Sequence, residues 1–487
     1  MRRVFIALLL FASALLTGCA VGPRYSRPPA AVPTAYKETP ANWKQAQPSD
    51  EVLRGKWWEV YQDPQLNALE DKINVSNQNL KAAQAQFEQS RALVRLHRAD
   101  YYPTVSVGVS AERERLSQHR PLAIPGGTTT TNDLILSADM SYEADVWGRV
   151  RRTVEAARAN AQASLADLEL VSLSLHAELA VDYFEARELD AQERLLNSTV
   201  DGYVKALDLT NNRYKGGIAS QVDVAQAETQ LETTRAQAID VNVDRSQLEH
   251  AIAVLVGEPA STFTLPEAPL SATPPVIPPG LPSDLLERRP DIASAERLMA
   301  AANANIGVAK AAYFPVFSLN PSAGFESTTI SNWLSSPSGF VFATASAAVT
   351  VFDAGRRRAV SDQARSAYEQ AVANYQQNVL TGYQEVEDNL SALRVLDDEA
   401  TTQAHAVAAA EHSLALSNNR YKGGVAAYLE VITAQQIALA DEITAVQISG
   451  RRMVSSVLLI KALGGGFDAA SLTAIKMESR TPIPSGQ

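Results

Sequence analysis

The chain contains itself twice. Asn211-Asn212-Arg213-Tyr214-Lys215-Gly216-Gly217-Ile218-Ala219 returns 207 residues later as Asn418-Asn419-Arg420-Tyr421-Lys422-Gly423-Gly424-Val425-Ala426. Gly148-Arg149 returns at the same offset as Gly355-Arg356, while Tyr101-Tyr102-Pro103 returns at 212 as Tyr313-Phe314-Pro315. One insertion of five residues, between Pro103 and Gly148 of the first copy, reconciles the two offsets. Each copy runs to about two hundred residues, far longer than a solenoid unit, so this is a duplicated domain. Any fold must build the same element order two times. Residues 64–265 and 283–466 are read as the repeats. Between them, Pro266, Pro269, Pro274, Pro275, Pro278, Pro279 and Pro282 favour an extended, semi-rigid connector, assigned to 266–282. Residues 467–487 are read as a C-terminal tail.

Within each copy the periodicity changes in the same order. Leu80 to Ala99 and Ile292 to Ala312 carry apolar residues at helical spacing and end before Pro103 and Pro315, which push the preceding residue out of the helical region. Alternation follows: Val105, Val107, Val109 and Ala111 lie on one face of a first strand, and Leu134, Leu136, Ala138, Met140, Tyr142, Ala144 and Val146 on one face of a second. The other face of that second strand carries Asp139, Glu143 and Asp145. In the second copy Phe317, Leu319, Ala323 and Phe325 alternate, then Val341 through Val351. A soluble sandwich and an outer-membrane barrel both give this signature. Aromatics Tyr101, Tyr102, Trp147, Tyr313, Phe314 and Phe352 cluster at one end of the strands as an interfacial girdle would. A bilayer tolerates no open sheet edge, and four strands fall short of the roughly eight that close the smallest barrels, so a membrane reading requires several chains to share one barrel.

After the strands, Arg149 to Asn212 and Arg356 to Asn419 contain no proline and one glycine each, Gly202 and Gly382. Continuous helices of that length measure about 95 Å at 1.5 Å per residue. The stripe Val150, Val154, Ala157, Ala161, Leu165, Leu168, Val171, Leu175, Leu179 has the spacing of coiled-coil packing. Gly216-Gly217 and Gly423-Gly424 supply helix stops, and second helices run from near Gln221 or Tyr428 back to Val256 or Leu463. Each repeat is thus a helix, a strand pair and a long helical hairpin.

At the N-terminus, Arg2 and Arg3 precede an apolar run from Val4 to Leu16 that is too short to span a bilayer and reads as an export signal, residues 1–18. Leu16-Thr17-Gly18-Cys19 follows, and Cys19 is the chain's one cysteine. This is similar to the lipobox of bacterial lipoproteins, which implies acylation of Cys19 and a lipid-anchored, extended segment over 19–63. Ala20 favours outer-membrane sorting. A single cysteine excludes a disulfide framework and a thiolate zinc site. A net charge of -11, from 43 Lys+Arg against 54 Asp+Glu, disfavours nucleic acid as a partner. No P-loop, His-Glu-x-x-His or Cys-x-x-Cys is present, so no enzyme, cofactor or resident metal is expected. His405 and His412, seven apart, are read as solvated or packed rather than as ligands.

The order lipobox, helix, strand pair, long hairpin, duplicated, resembles the TolC-like outer-membrane efflux channels, in their OprM- and NodT-like lipoprotein branch. Cys19-Ala20-Val21-Gly22-Pro23 with Tyr25 and Arg27-Pro28, Trp57-Trp58 with Asp63-Pro64-Gln65-Leu66-Asn67, and the paired Arg-Tyr-x-x-Gly tips carry the likeness over the whole mature chain. The resemblance implies an α+β membrane protein: a homotrimer whose chains give four strands each to one transmembrane antiparallel β-barrel, and helical hairpins to a coiled-coil tunnel through the periplasm. It implies a passive exit duct for drugs, solvents or metal ions, served by a periplasmic adaptor of the membrane fusion class and an inner-membrane pump of RND type. A protein-secretion channel of type I, or a structural coiled-coil lipoprotein, are the other classes. Arg213, Tyr214 and Gly217, with Arg420, Tyr421 and Gly424, would be the adaptor-docking tips. Asp223 near Tyr421, with Glu430 in a threefold ring of acids, would form the periplasmic gate. Thr433 and Ala426 stand where relatives often carry a second acid and a gate-linking arginine.

Overall fold

The computed structural model describes residues 20–29, 32–38, 55–115, 117, 130–270, 273–277, 280 and 282–467. The export signal, Cys19 and the tail beyond Phe467 lie outside the described residues. Among those described, the same element order occurs twice. The first repeat holds α1 (Pro64–Ser76), α2 (Gln78–Ala99), β1 (Thr104–Arg115), β2 (Thr130–Ala144), α3 (Arg149–Lys215) and α4 (Gln221–Leu255). The second holds α5 (Leu285–Arg288), α6 (Pro290–Ala311), β3 (Val316–Ser327), β4 (Gly339–Ala348), α7 (Arg356–Lys422) and α8 (Tyr428–Ala462).

The long helices are unbroken. α3 and α7 have 67 residues each, about 100 Å at 1.5 Å per residue, and α4 and α8 have 35 each. No described helix is long and apolar enough to cross a membrane. Helical periodicity alone does not separate α1 from α2. The start of α1 is local chemistry: the Asp63 carboxylate accepts Gln65 N at 2.9 Å and Leu66 N at 3.1 Å, with Pro64 in the first turn. In the second repeat the corresponding helix shrinks to one turn because Pro290 holds Arg289 extended, at φ -98 and ψ 122.

The chain divides into two compact units. One comprises residues 20–29, 86–164 and 294–375 and contains the sheet. Its strands are antiparallel in the order β1-β2-β3-β4. Val107 pairs with Ala138, Ala138 with Ala323 and Ala323 with Val341, so the apolar positions form rows across all four strands. Around Pro321 the pairing of β3 with β2 is interrupted, as a residue without an N–H requires. Nothing among the described residues covers the apolar face: Val105, Val107 and Val109 are 65%, 72% and 67% exposed. A sandwich would bury them. Alternation in the last strand stops at Ala348, short of the expected Val351, because the chain turns there: Asp353 Oδ1 accepts Gly355 N at 3.1 Å and Asp353 Oδ2 accepts Arg357 N at 3.2 Å. Beside the sheet, α3 and α6 pack through Ala156, Ala159, Ala300, Ala301 and Ala304 against Tyr25.

The other unit comprises residues 32–85, 165–293 and 376–467. Its core gathers Trp57, Trp58, Leu66, Ile73, Leu179, Phe184, Ile252, Val386, Val457 and Ile460 from both repeats. Within it, His176 stacks on Trp58, with ring centres 4.3 Å apart, and its Nδ1 lies 2.6 Å from Glu70 Oε2. Burial lowers the His176 pKa to about 4 and raises Glu70 well above the carboxylate range.

Candidate functional site

Both hairpin tips close through the same glycine geometry. Gly217 N donates to Tyr214 O at 2.9 Å and Ile218 N to Arg213 O at 2.8 Å; in the second tip, Gly424 N donates to Tyr421 O and Val425 N to Arg420 O, both at 3.0 Å. Gly217 and Gly424 have φ of 74° and 75°, the left-handed region that this stop requires. Space is no obstacle, since a Cβ on either glycine would meet nothing within 4 Å.

The next helices begin differently. Ser220 and Asp223 form a reciprocal capping box: Asp223 N donates to Ser220 Oγ at 3.1 Å and Ser220 N to Asp223 Oδ2 at 2.9 Å. The second repeat has Ala427 at that cap, which offers no side-chain acceptor. Glu430, the counterpart of Asp223, instead has Oε2 3.8 Å from Arg420 Nη2, with both side chains at least half exposed.

The two tip tyrosines also part company. Tyr214 is 45% exposed and Tyr421 is 6% exposed. Tyr421 packs against Tyr428, ring centres 5.1 Å apart, in a cluster with Ala227, Val431 and Ile432. The Arg213 guanidinium carbon sits 4.6 Å from the Tyr421 ring centre, and Arg213 Nη1 donates to Lys422 O at 3.2 Å. Arg213 thereby ties the first tip to the second. The Tyr421 hydroxyl is buried without a hydrogen-bond partner, and the Asp223 carboxylate is engaged by Ser220. The structure thus brings together Arg213 with Tyr421 and Arg420 with Glu430, and does not join Asp223 to Tyr421. Burial pushes the Tyr428 hydroxyl up to about 12, with Tyr421, Tyr203 and the Asp223 charge adding in the same direction.

Several residues here escape sequence reasoning. Tyr428 is visible only as an aromatic at the start of α8 where the first repeat has Gln221. Just inside the tips, Gln436 Nε2 donates to Gln230 Oε1 at 2.8 Å and Gln230 Nε2 to Tyr203 Oη at 3.4 Å, linking α8, α4 and α3. The sole cue for that relay is a glutamine within a helical stripe. Thr433 bonds its own helix, Oγ1 donating to Leu429 O at 2.9 Å. Ala426, His405 and His412 enter no such link; both histidines are exposed on α7.

In the sheet-bearing unit, the residues directly after Cys19 are held firmly. Val21 N donates to Trp147 O at 3.0 Å. The Trp147 indole Nε1 donates to Pro315 O at 2.8 Å, and its ring stacks on Phe314 at 4.7 Å. Gly22, at φ 108, runs so close to α6 that a Cβ there would lie 2.5 Å from Gly307 Cα.

An open sheet with an uncovered apolar face, on a chain that also carries two long hairpins with clasped tips, defines a TolC-like channel subunit. The chain belongs to the outer membrane efflux protein family, whose profile matches residues 69–258 and 281–465. It is 31% identical over 459 residues to the probable efflux pump outer membrane protein TtgC of Pseudomonas putida, covering 93% of this chain and 94% of that one. It is 30% identical over 465 residues to the cation efflux system protein CusC of Escherichia coli, covering 94% and 98%. The solved outer-membrane channel OprN superposes with a TM-score of 0.84 at 29% identity, covering 92% of this chain and 99% of that one.

Proposed function

We propose that the chain is the outer-membrane exit duct of a tripartite efflux system, passing small molecules from an inner-membrane pump of RND type through a periplasmic adaptor to the exterior. The observation that carries this reading is the open sheet. Among the described residues its outer strands β1 and β4 have unpaired edges and its apolar face is uncovered, an arrangement that water and lipid alike penalise until the sheet closes. Four strands do not close alone, and three chains would supply twelve, within the range of outer-membrane barrels that starts at about eight. A structural coiled-coil lipoprotein leaves the sheet without a role.

The relatives' names, which include an antibiotic, a solvent and a cation efflux protein, support drugs, solvents or metal ions as cargo. The anchoring of Val21 at Trp147 supports Cys19 as the lipid-bearing residue beside an aromatic interfacial belt. Arg213, Tyr214, Gly217, Arg420, Tyr421 and Gly424 would dock the adaptor, and Asp223, Tyr421 and Glu430 would line the gate just inside.

Two measurements on the full chain test this. Reconstituted in a planar bilayer it conducts ions, and cross-linking yields trimers. A monodisperse monomer without conductance would overturn the duct. Cys19→Ser should weaken membrane retention while trimers persist; normal retention of that variant would remove the lipid from the account.

A further inference from the structure

The charges of the sheet are sorted by face. Its four strands carry six acids, Glu112, Glu114, Asp133, Asp139, Glu143 and Glu326, and two cations, Arg113 and Arg115. The register puts every acid on one face: Asp133 pairs with Glu112, Asp139 with Ser106, Glu143 with Ser318 and Ile135 with Glu326. Successive side chains of a strand point to opposite faces. Arg113 and Arg115 therefore lie on the other face, in line with Val105, Val107, Val109 and Ala111, and both are exposed.

Height along the strand matters as much as face. Every connection to a helix lies at one end of the strands, beside Tyr102, Trp147 and Phe314, and both hairpin connections lie at the other. There Arg113 pairs with Asn132 and Arg115 with Thr130. The apolar face of β2 runs ten steps from Ala144 at the helix end to Leu134 at the hairpin end, about 34 Å at ~3.4 Å per residue. A strand tilted by ~40° turns that length into a band about 26 Å tall, and outer-membrane barrels present apolar bands of about 25 Å. Leu134 pairs with Ala111, and the next position on that face of β1 is Arg113. The two arginines thus begin where the apolar band ends.

Blunting an open edge does not account for this placement, since a charge on either face of β1 would interrupt edge pairing. An ion pair with the strand of a second copy does not account for it either. β4, the other open edge, carries no charged residue, and neither residues 116–129 nor residues 328–338 include an acid.

We propose that Arg113 and Arg115 form a docking surface for the phosphate groups of a glycolipid in the outer leaflet, whose acyl chains lie against Val105, Val107, Val109 and Ala111. The two Cα atoms stand about 7 Å apart on one face, and each guanidinium offers a planar fork to phosphate oxygens. The acids of the same strands face away from the lipid. This rests on the duct reading, which puts the hairpin end of the sheet at the exterior.

The test is binding of fluorescent bisphosphorylated lipid A to the full-length protein in a non-ionic detergent, with dephosphorylated lipid A and phosphatidylglycerol as comparisons. The unaltered protein should hold the bisphosphorylated form at least about tenfold tighter than the dephosphorylated one, as two arginines beside an anionic surface imply, and tighter than phosphatidylglycerol. Arg113→Gln with Arg115→Gln should erase that preference. Glu112→Gln with Glu114→Gln, on the opposite face of the same strand, should leave it intact. Conductance and trimer cross-linking of each variant report on the duct separately. A conducting protein without preference for the phosphorylated lipid would overturn this proposal and leave the duct standing, as would an unchanged preference in the double arginine variant or an equal loss in the double glutamate variant. Equal affinity for phosphatidylglycerol would assign the arginines to phospholipid at large and also overturn it. A protein that neither conducts nor cross-links would overturn the duct reading, and this proposal with it.

Discussion

Removing the Arg213 side chain tests the clasp between the two tips. Arg213 makes two contacts with the second tip, over the Tyr421 ring and to Lys422 O. A half-buried cation–π contact contributes about 1 kcal/mol, and a hydrogen bond from a charged donor about 1.5 kcal/mol. Arg213→Ala should therefore favour separated tips by about 2 to 3 kcal/mol, roughly 30- to 150-fold in the equilibrium. Arg420 occupies the same place in the second repeat but faces Glu430 at 3.8 Å in solvent, a pair contributing at most about 0.5 kcal/mol. Arg420→Ala should shift that equilibrium about twofold. Open probability in planar bilayers and hydrogen exchange of the tip amides both read the difference. Arg213→Lys keeps the charge without the flat stacking surface and should fall between. Tyr421→Phe should be neutral or mildly stabilising, since the hydroxyl it deletes is buried and unpaired. Equal effects of Arg213→Ala and Arg420→Ala would refute the clasp, and a strongly opening Tyr421→Phe would show that the hydroxyl has a partner in the assembly.

The geometry carries three further outcomes. Ser220→Ala should destabilise the start of α4 by about 1 kcal/mol, with faster exchange in its first turn, whereas Ala427→Ser should slow exchange at the start of α8 by offering Glu430 the box its counterpart already has. Gly307→Val places a side chain where Arg152 Cγ would be 2.9 Å and Val21 O 3.0 Å from the new Cβ, so the segment after Cys19 should detach; protease cleavage near Val21 should rise, and unchanged resistance would contradict the packing. Burial holds His176 down at about 4 against an ordinary 6.5 and holds its partner Glu70 well above the carboxylate range. Between those values unfolding takes up a proton at His176 and releases one from Glu70, so the two contributions to stability have opposite pH slopes and offset one another. His176→Phe leaves Glu70 alone and should make stability rise as pH falls from 6.5 toward 4, read as a rising melting temperature; an unchanged profile would contradict the pairing.

What could be read from the sequence and what could not divide along periodicity. The long helices, the four strands and the tip glycines repeat at fixed spacing over many residues, and the structure returns nearly the expected bounds. α1 hides because its start rests on Asp63 and Pro64 rather than on a stripe. The tips were legible as a pair but not as two different objects. Tyr214 and Tyr421 sit in the same nine-residue motif, yet one faces solvent and the other is buried, because what decides burial is the opposing helix. That helix begins with Gln221 in one repeat and Tyr428 in the other, and only Tyr428 supplies a ring for Tyr421 to pack on.

That divergence has a direct consequence for assembly. Strands must keep identical alternation in both copies, since a single-residue slip would turn an apolar row toward the wrong face. The tips carry no such constraint, and there the copies have separated: one capped by Ser220 with its carboxylate tied down, the other uncapped with Glu430 free to meet Arg420. In the proposed trimer the tips would alternate between these two kinds, and if they form the proposed gate its opening would involve the contacts of one kind before the other. The Arg213 clasp joins the unlike tips within a chain, so its rupture frees the second hairpin without disturbing the capping box of the first.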